Sequence, residues 1–456
     1  MGRTSKQRRR DRRRSGPGAR RFSRLGARTP LDKRIALVRR FGVLLDNHKA
    51  AFAETISREI GKPRWEALGE VGSMIGKIAL SIAAQAERAG ERSSDTDFGR
   101  AVLRHRPHGV MLVLGPYSFL GHLPNGHIMP TLLAGNAIVF KPAEETPATG
   151  DAMAALWEEA GLPPGVFTIV HGGRNTGAAL VASDIDGLLF TGSAAAGIAL
   201  RRATKDRPHL ILALELGGNN PLIAWDGDPA AVASIIVQSA TITTGQRCSC
   251  ARRLIVPQGP RGEVIVEAVA ALAVRLRIGA WDEVPEPFLG PLASDAAAQR
   301  ALAQAAALVD AGATTILPLG QVSGRSAAFV TPALLDVTGL AVPDEEIFAP
   351  LLQIIRVADF DAAIGAANGT SFGLAGGLIS DDDAHWQRYA EAARAGVLNR
   401  NRPTTGASGA MPFGGVGASG NHHPNAYYAA DYCAFPVASF EADRVADLSF
   451  DIRGVV

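Results

Sequence analysis

From Gly109 onward the chain repeats one texture: a short apolar run, a Gly or Pro, then a stretch with helical spacing. The runs are Val110–Leu114, Ala137–Phe140, Val166–Val170, Gly187–Phe190, Leu210–Leu214 and Leu222–Ala224. Strands alternating with helices in this way predict parallel βαβ units, with ligands bound at the carboxyl ends of the strands. A second series occupies roughly Ala251 to Ala395 and includes Ala375–Ile379 and Val397–Asn399. The 50 glycines and the 6% aromatic content suit an α/β protein with many tight turns rather than a β-sandwich. A length of 456 residues suggests two or three domains.

Before that series, Thr29-Pro30-Leu31-Asp32 reads as a helix start, with Thr29 as cap, Pro30 in the first turn and Asp32 at the positive end of the dipole. Ile35, Leu37, Phe41, Leu44 and Leu45 supply its apolar stripe, and a second helical stretch runs from about Arg64 to Ala89. The polar segment Gly90 to Arg100 reads as a loop or arm. A Gly- and Ala-rich stretch, Gly406 to Gly420, precedes an aromatic end (Tyr427, Tyr428, Tyr432, Phe435).

The net charge of +3 hides an asymmetry, because residues 1–14 carry eight Lys or Arg against one Asp. Without them the body has 39 basic and 43 acidic residues, which excludes a nucleic-acid-binding surface by charge. The head itself reads as a solvated leader, since no aromatic or structured partner accompanies its charge. Three cysteines form no disulfide framework in a chain this long, which fits a reducing compartment. No run reaches the roughly 18 to 20 apolar residues of a membrane span, and the head lacks the apolar run of a secretory signal. The expected compartment is the cytoplasm.

Three segments carry chemistry. In Thr244-Gly245-Gln246-Arg247-Cys248-Ser249-Cys250 the cysteine is set among polar residues, with Arg247 adjacent to favour thiolate. A lone cysteine is more often a small buried hydrophobe. A Cys-x-Cys metal site lacks a second ligand pair, so no metal is expected. In Ala213-Leu214-Glu215-Leu216-Gly217-Gly218-Asn219-Asn220 a carboxylate closes an apolar run. Burial there would raise its pKa toward that of a general base, although a strand-end Glu is commonly just exposed. In Phe190-Thr191-Gly192-Ser193-Ala194-Ala195-Ala196-Gly197 a glycine turn joins strand to helix, where backbone amides can hold a pyrophosphate. Its spacing is not GxGxxG.

Together these segments resemble the NAD(P)-dependent aldehyde dehydrogenase superfamily. Its Glu-Leu-Gly-Gly strand end, followed some thirty residues later by Gly-Gln-x-Cys, is met by Glu215 and Cys248. Phe140-Lys141-Pro142-Ala143-Glu144 looks like the family's ribose-binding strand end. Glu345-Glu346-Ile347-Phe348 resembles its nicotinamide-side loop and Pro412-Phe413-Gly414-Gly415 its late signature. The resemblance runs from about Gly18 to the C-terminus. His105 to Gly109, Gly121 to His127, Gln246 to Arg253, Gly420 to Pro424 and Ala429 to Ala434 resemble a narrower branch. That branch oxidises succinylglutamate semialdehyde in arginine breakdown.

The resemblance implies an α/β fold with a Rossmann-type NAD-binding domain (18–216, with an arm at 90–107), an α/β catalytic domain (217–424) and a small β oligomerisation arm completed by a tail (425–456), behind a basic head (1–17). It implies that Cys248 adds to the aldehyde, that hydride passes to NAD, and that Glu215 activates water against the thioester. Lys141 and Glu144 would hold the adenosine ribose, Glu346 the nicotinamide ribose, and Gly192, Ser193, Ala194, Ala195, Ala196 and Gly197 the pyrophosphate, with Phe348 beside the nicotinamide. Glu144 would repel a 2′-phosphate, which favours NAD over NADP. Arg247 and Arg402 are candidate contacts for a substrate carboxylate. A homo-oligomer, dimer or tetramer, is expected, with neither nucleic acid nor membrane as partner.

Three departures from the family pattern bear on function. Ser118 stands where members usually carry Asn, whose amide helps bind the oxyanion. The strands that usually precede the first helix are replaced by the arginine-rich head. Ala349 stands where Gly is usual, at a turn expected to need positive φ. The rival readings are therefore a dehydrogenase for another carboxylate-bearing semialdehyde and a catalytically weak NAD-binding homologue. A basic arm on nucleic acid or acidic lipid is a third.

Overall fold

The structure, a computed structural model, describes residues 29–454, so the basic head of residues 1–17 and the start of the expected first domain lie outside them. Three helices open the described chain: α1 (Leu31–Asn47), α2 (Lys49–Ile60) and α3 (Arg64–Arg88). Pro30, not Thr29, occupies the cap position of α1, and no side chain caps it. Proline is tolerated there because its missing N–H would have no helical partner anyway. Val38, Phe41, Gly42 and Leu45 form the buried stripe of α1. A Cβ on Gly42 would come within 2.9 Å of Ile78, so this glycine lets α1 lie close against α3.

By length and composition alone, α3 is apolar enough to cross a membrane. Its packing is that of a core helix: Val71, Met74 and Ile78 join the first hydrophobic cluster, and Glu66, Glu70 and Lys77 are buried on it as well. Those charged side chains return in the site below.

The polar segment after α3 is not a loop but a hairpin, β1 (Arg92–Thr96) and β2 (Gly99–Pro107), paired in antiparallel register from Arg92↔Leu103 to Thr96↔Gly99. Five strands with their crossover helices follow: β3 (Val110–Leu114), α4 (His122–Ala134), β4 (Ala137–Lys141), α5 (Pro147–Glu159), β5 (Phe167–Ile169), α6 (Arg174–Ala182), β6 (Gly187–Gly192), α7 (Ala194–Thr204) and β7 (Ile211–Leu216). All pair in parallel in the order β5-β4-β3-β6-β7. The order reverses between β3 and β6, and the crevice at such a switch point, beyond the strands' carboxyl ends, is where open α/β sheets bind ligands.

After Gly217 the chain passes straight into a second sheet, through β8 (Asn220–Ala224), α8 (Pro229–Thr241), β9 (Ala251–Pro257), α9 (Pro260–Ala273), α10 (Asp295–Asp310), β10 (Thr314–Leu317), β11 (Ala333–Asp336), β12 (Leu351–Val357), α11 (Phe360–Asn368), β13 (Ala375–Ile379), α12 (Asp383–Ala392) and β14 (Val397–Arg400). Its order is β10-β11-β12-β9-β8-β13-β14, with only β10 antiparallel to its neighbour. The carboxyl end of the first sheet thus faces the amino end of the second.

The last segments return to the first body. Strands β15 (Pro412–Phe413) and β16 (Asn425–Ala426) pair with each other. Helix α13 (Ala429–Cys433) packs into the same hydrophobic cluster as α1 and α3. Strand β17 (Ala434–Glu441) runs antiparallel to β2, from Ala434↔Pro107 to Glu441↔Arg100. The segment from residue 425, expected as an oligomerisation tail, also contributes to the core.

Candidate active site

Glu215 is the penultimate residue of β7, inside the crevice between the two sheets and 3% exposed. Its Oε1 accepts the backbone N–H of Asn425 at 3.2 Å. Burial pushes its carboxyl up to about 8, against the smaller opposing pull of that N–H and of Lys77. The sequence left open whether this strand-end carboxylate is exposed, and the fold encloses it.

Cys248 follows a sharply wound turn. Thr243 (φ 55°), Thr244 (φ 54°) and Gly245 (φ 73°) are all left-handed, a strained conformation for two β-branched residues. The surroundings over-determine it. Thr243 Oγ1 bonds the buried Glu66 carboxylate, and Thr244 Oγ1 donates to Gly290 O at 2.8 Å. The fully buried Arg252 donates to Gly245 O at 2.6 Å and to Arg247 O at 2.9 Å. Asn220, at the start of β8, donates to the carbonyls of Cys248 and Cys250 at 2.6 and 2.8 Å. A Cβ on Gly245 would lie 2.2 Å from the Ala349 carbonyl oxygen, so the close approach between these loops falls on Gly245. Ala349 itself has no positive φ and is fully buried, which corrects the expectation of a strained turn there.

Two cavities meet at this loop. A cleft of about 750 Å³ is lined by Ser118, Gly192, Ser193, Glu215, Glu346 and Phe348, with Cys248 at its inner end. A smaller cavity of about 190 Å³ is lined by Lys77, His122, Arg247, Phe413 and Asn425, again with Cys248 and Ser118. Cys248 therefore borders both cavities. Ser118 is 7% exposed, and its carbonyl accepts Lys62 Nζ at 3.0 Å.

The larger cleft fits a dinucleotide on its own chemistry. Glu346 Oε1 is buried without a full hydrogen bond among the described residues, its nearest partner being the Arg252 guanidinium at 3.5 Å, which leaves it able to accept from a ribose hydroxyl. Gly217 is needed beside it, because a Cβ there would fall 1.8 Å from Glu346 Oε2. Phe348 packs edge-on against Tyr117, which follows β3. Ser193 caps α7 by accepting the Ala196 N–H at 3.3 Å, and Ala194 to Gly197 form the first turn behind it. A Cβ on Gly197 would come within 2.6 Å of Leu216, so this glycine serves helix-on-strand packing. Lys141 and Glu144 lie at the end of β4, outside the cleft lining. Lys141 Nζ donates to Pro142 O at 2.8 Å, and the Glu144 carboxylate lies beside Gly173.

Residues 2–435 match the aldehyde dehydrogenase family. The chain belongs to that family. An N-succinylglutamate 5-semialdehyde dehydrogenase of Caulobacter sp. (strain K31) is 60% identical over 425 residues, 93% of this chain and 87% of that protein. A second, named N-succinylglutamate 5-semialdehyde dehydrogenase 2, from Caulobacter vibrioides, is 59% identical over 93% of this chain and 88% of its own length. Among solved structures, a Mycobacterium tuberculosis aldehyde dehydrogenase complexed with NAD⁺ matches with a TM-score of 0.85 and 28% identity, over 92% of this chain and 87% of that one. As an aldehyde dehydrogenase the protein is an oxidoreductase that works on aldehydes with a nicotinamide cofactor.

Within this aldehyde dehydrogenase the arginines are placed differently from one another. Arg247 lines the smaller cavity but is ion-paired with Glu66 at 2.7 Å and sits over the Phe119 ring. Arg402 is exposed, lies against Gly406 and lines neither cavity. Nor does Arg247 lower the Cys248 thiol, as its adjacency suggested. Burial and the Glu346 and Glu215 carboxylates push that thiol well up, and the cation opposing them is Arg252. Four residues here were not singled out from sequence: Lys77, Asn220, Arg252 and Asn425. Asn220 and Arg252 stood inside the quoted motifs, while Lys77 and Asn425 reach Glu215 only through the fold.

Proposed function

We propose that the protein oxidises N-succinylglutamate 5-semialdehyde to N-succinylglutamate with NAD⁺ in the breakdown of arginine. The observation that carries the reading is the placing of Cys248 at the junction of two cavities, with Glu215 buried on the larger side. The names of relatives at 60% and 59% identity support the choice of substrate.

In this mechanism the aldehyde enters the smaller cavity and Cys248 Sγ adds to its carbonyl carbon. The thiol is held protonated by burial, so its proton must leave as the bond forms, and Glu215, its carboxyl pushed up to about 8, is a base suited to take it. A bound nicotinamide would supply the hydride acceptor, with Phe348 beside it. Collapse leaves a thioester on Cys248, and Glu215, once it has released the thiol's proton to solvent, takes a proton from the water that hydrolyses it. Ser118 lines both cavities, and its hydroxyl stands in for the expected oxyanion donor. Lys141, Glu144, Glu346 and the turn from Gly192 to Gly197 would hold the cofactor, and the Glu144 carboxylate would disfavour a 2′-phosphate.

On this reading residues 18–216 form the cofactor domain and 217–424 the catalytic domain. The β1-β2-β17 sheet serves a homo-oligomer, and the enzyme is cytoplasmic. The deciding assay is NADH formation from NAD⁺ and N-succinylglutamate 5-semialdehyde, beside succinate and glutamate semialdehydes. Cys248→Ala should abolish turnover while leaving NAD⁺ binding intact. A wild-type protein that binds NAD⁺ and yet makes no NADH would overturn the proposal.

A further inference from the structure

The charges around the smaller cavity are accounted for group by group. Lys62 is ion-paired with Glu70 at 2.6 Å, both side chains fully buried. Arg247 is held by Glu66 at 2.7 Å. His122 and His127, both on α4, are pushed down to about 3 by burial and by the nearby Lys77, so they are neutral at neutral pH. Lys77 remains. It lies on the buried face of α3, is 4% exposed, lines the cavity with Cys248, and has no hydrogen-bonded acceptor or salt bridge among the described residues.

The space around the Lys77 ammonium is kept open. A Cβ on Gly126 would lie 3.0 Å from Nζ and 3.0 Å from the Asn425 side-chain amide. The carboxyl acting on Lys77 is Glu215, which lines the other cavity. An ammonium withdrawn from water without a partner is costly, and a ligand carboxylate reaching it recovers that cost. An aldehyde without a carboxylate would leave it unpaired, which is how a buried polar group rejects the wrong ligand.

We propose that Lys77 is the specificity-determining cation of the substrate cavity, receiving a carboxylate of the substrate while its aldehyde carbon stands at Cys248. The assignment rests on the reading that the substrate carries carboxylates. Burial lowers the Lys77 ammonium to about 8, with Glu215 opposing, so it is charged at neutral pH. Substrate affinity should therefore fall as pH rises through about 8, and ionisation of Glu215 over the same range acts in the same direction.

The test compares full-length wild type, Lys77→Met, Lys77→Gln and Lys77→Arg with saturating NAD⁺, using N-succinylglutamate 5-semialdehyde beside the uncharged aldehyde hexanal. Loss of the ammonium should raise KM for the carboxylated aldehyde about tenfold or more, with the KM for hexanal equal or lower. Lys77→Arg should recover part of the loss. In the Cys248→Ala background, calorimetry should show the affinity for N-succinylglutamate falling in parallel when Lys77→Gln is added. Equal losses with both aldehydes would mean that Lys77 acts through Glu215 and would overturn the assignment. A preference for the carboxylated aldehyde that survives Lys77→Met sinks only the role of Lys77. A wild-type preference for hexanal sinks the substrate reading and this role with it.

Discussion

Of the three departures from the family pattern, Ser118 is the one that lies at the candidate active site and bears directly on rate. It lines both cavities, but its hydroxyl reaches less far than the amide of an asparagine. Losing one oxyanion donor costs about 2.7 to 4 kcal/mol, or about 10² to 10³ in rate. Ser118→Asn should therefore raise kcat at least several-fold in steady-state assays while NAD⁺ affinity stays unchanged. No gain would mean that Ser118 already supplies an adequate donor. Glu215 makes a second prediction at this scale. It works as a base only when ionised, so the rate should climb with pH through about 8. Glu215→Gln should lower the hydrolytic step by about 10² to 10⁴ and remove that rise. The sign for stability is the reverse. The folded carboxyl titrates near 8, above its ordinary 4.5, so it contributes stability below 4.5 that is lost as pH rises through about 8. Melting temperature should therefore decline less over that range in Glu215→Gln than in wild type.

The element that sets the thiol is the left-handed turn from Thr243 to Gly245. Gly245→Ala would add a Cβ 2.2 Å from a backbone oxygen at a φ that side chains avoid. We expect kcat to fall by at least about tenfold, since small displacements of a reacting group are costly in rate. Circular dichroism should stay native, and full activity in this variant would show that the turn does not fix Cys248. The same turn marks where reading the sequence stops. Val110–Leu114 and Ala375–Ile379 were legible as strands to the residue, because a buried parallel strand is a plain apolar run. Arg92–Thr96 was not, since it is polar and exposed along most of its length and pairs only because β2 lies beside it. The candidate nucleophile, the candidate base and the glycine turn were visible as local motifs. Their electrostatics were not: Arg247 next to Cys248 is spent on Glu66 from α3, and the cation acting on the thiol is Arg252. Lys77 meets Glu215 across the fold, and no periodicity announces such a pair.

At the scale of the whole molecule, the three-stranded sheet β1-β2-β17 leaves both outer strands without a neighbour among the described residues. Phe98, Phe435 and Phe440 are 54%, 57% and 73% exposed on or beside it. Open strand edges with apolar side chains are a template for another chain. Truncation after Ala434, which keeps Asn425 on Glu215 and α13 in the core, should reduce the assembly state in analytical ultracentrifugation. An unchanged sedimentation coefficient, beyond the lost mass, would rule this sheet out as the contact. The two cavities that meet at Cys248 have a consequence for the traffic of the reaction. On the proposed assignment each reactant would have its own doorway, so neither would have to step aside for the other. The spent dinucleotide is free to depart while the acyl group is still tethered, and water or a fresh dinucleotide can follow through the same side. Rapid-quench experiments should then detect a tethered acyl enzyme that outlives the departure of the first product.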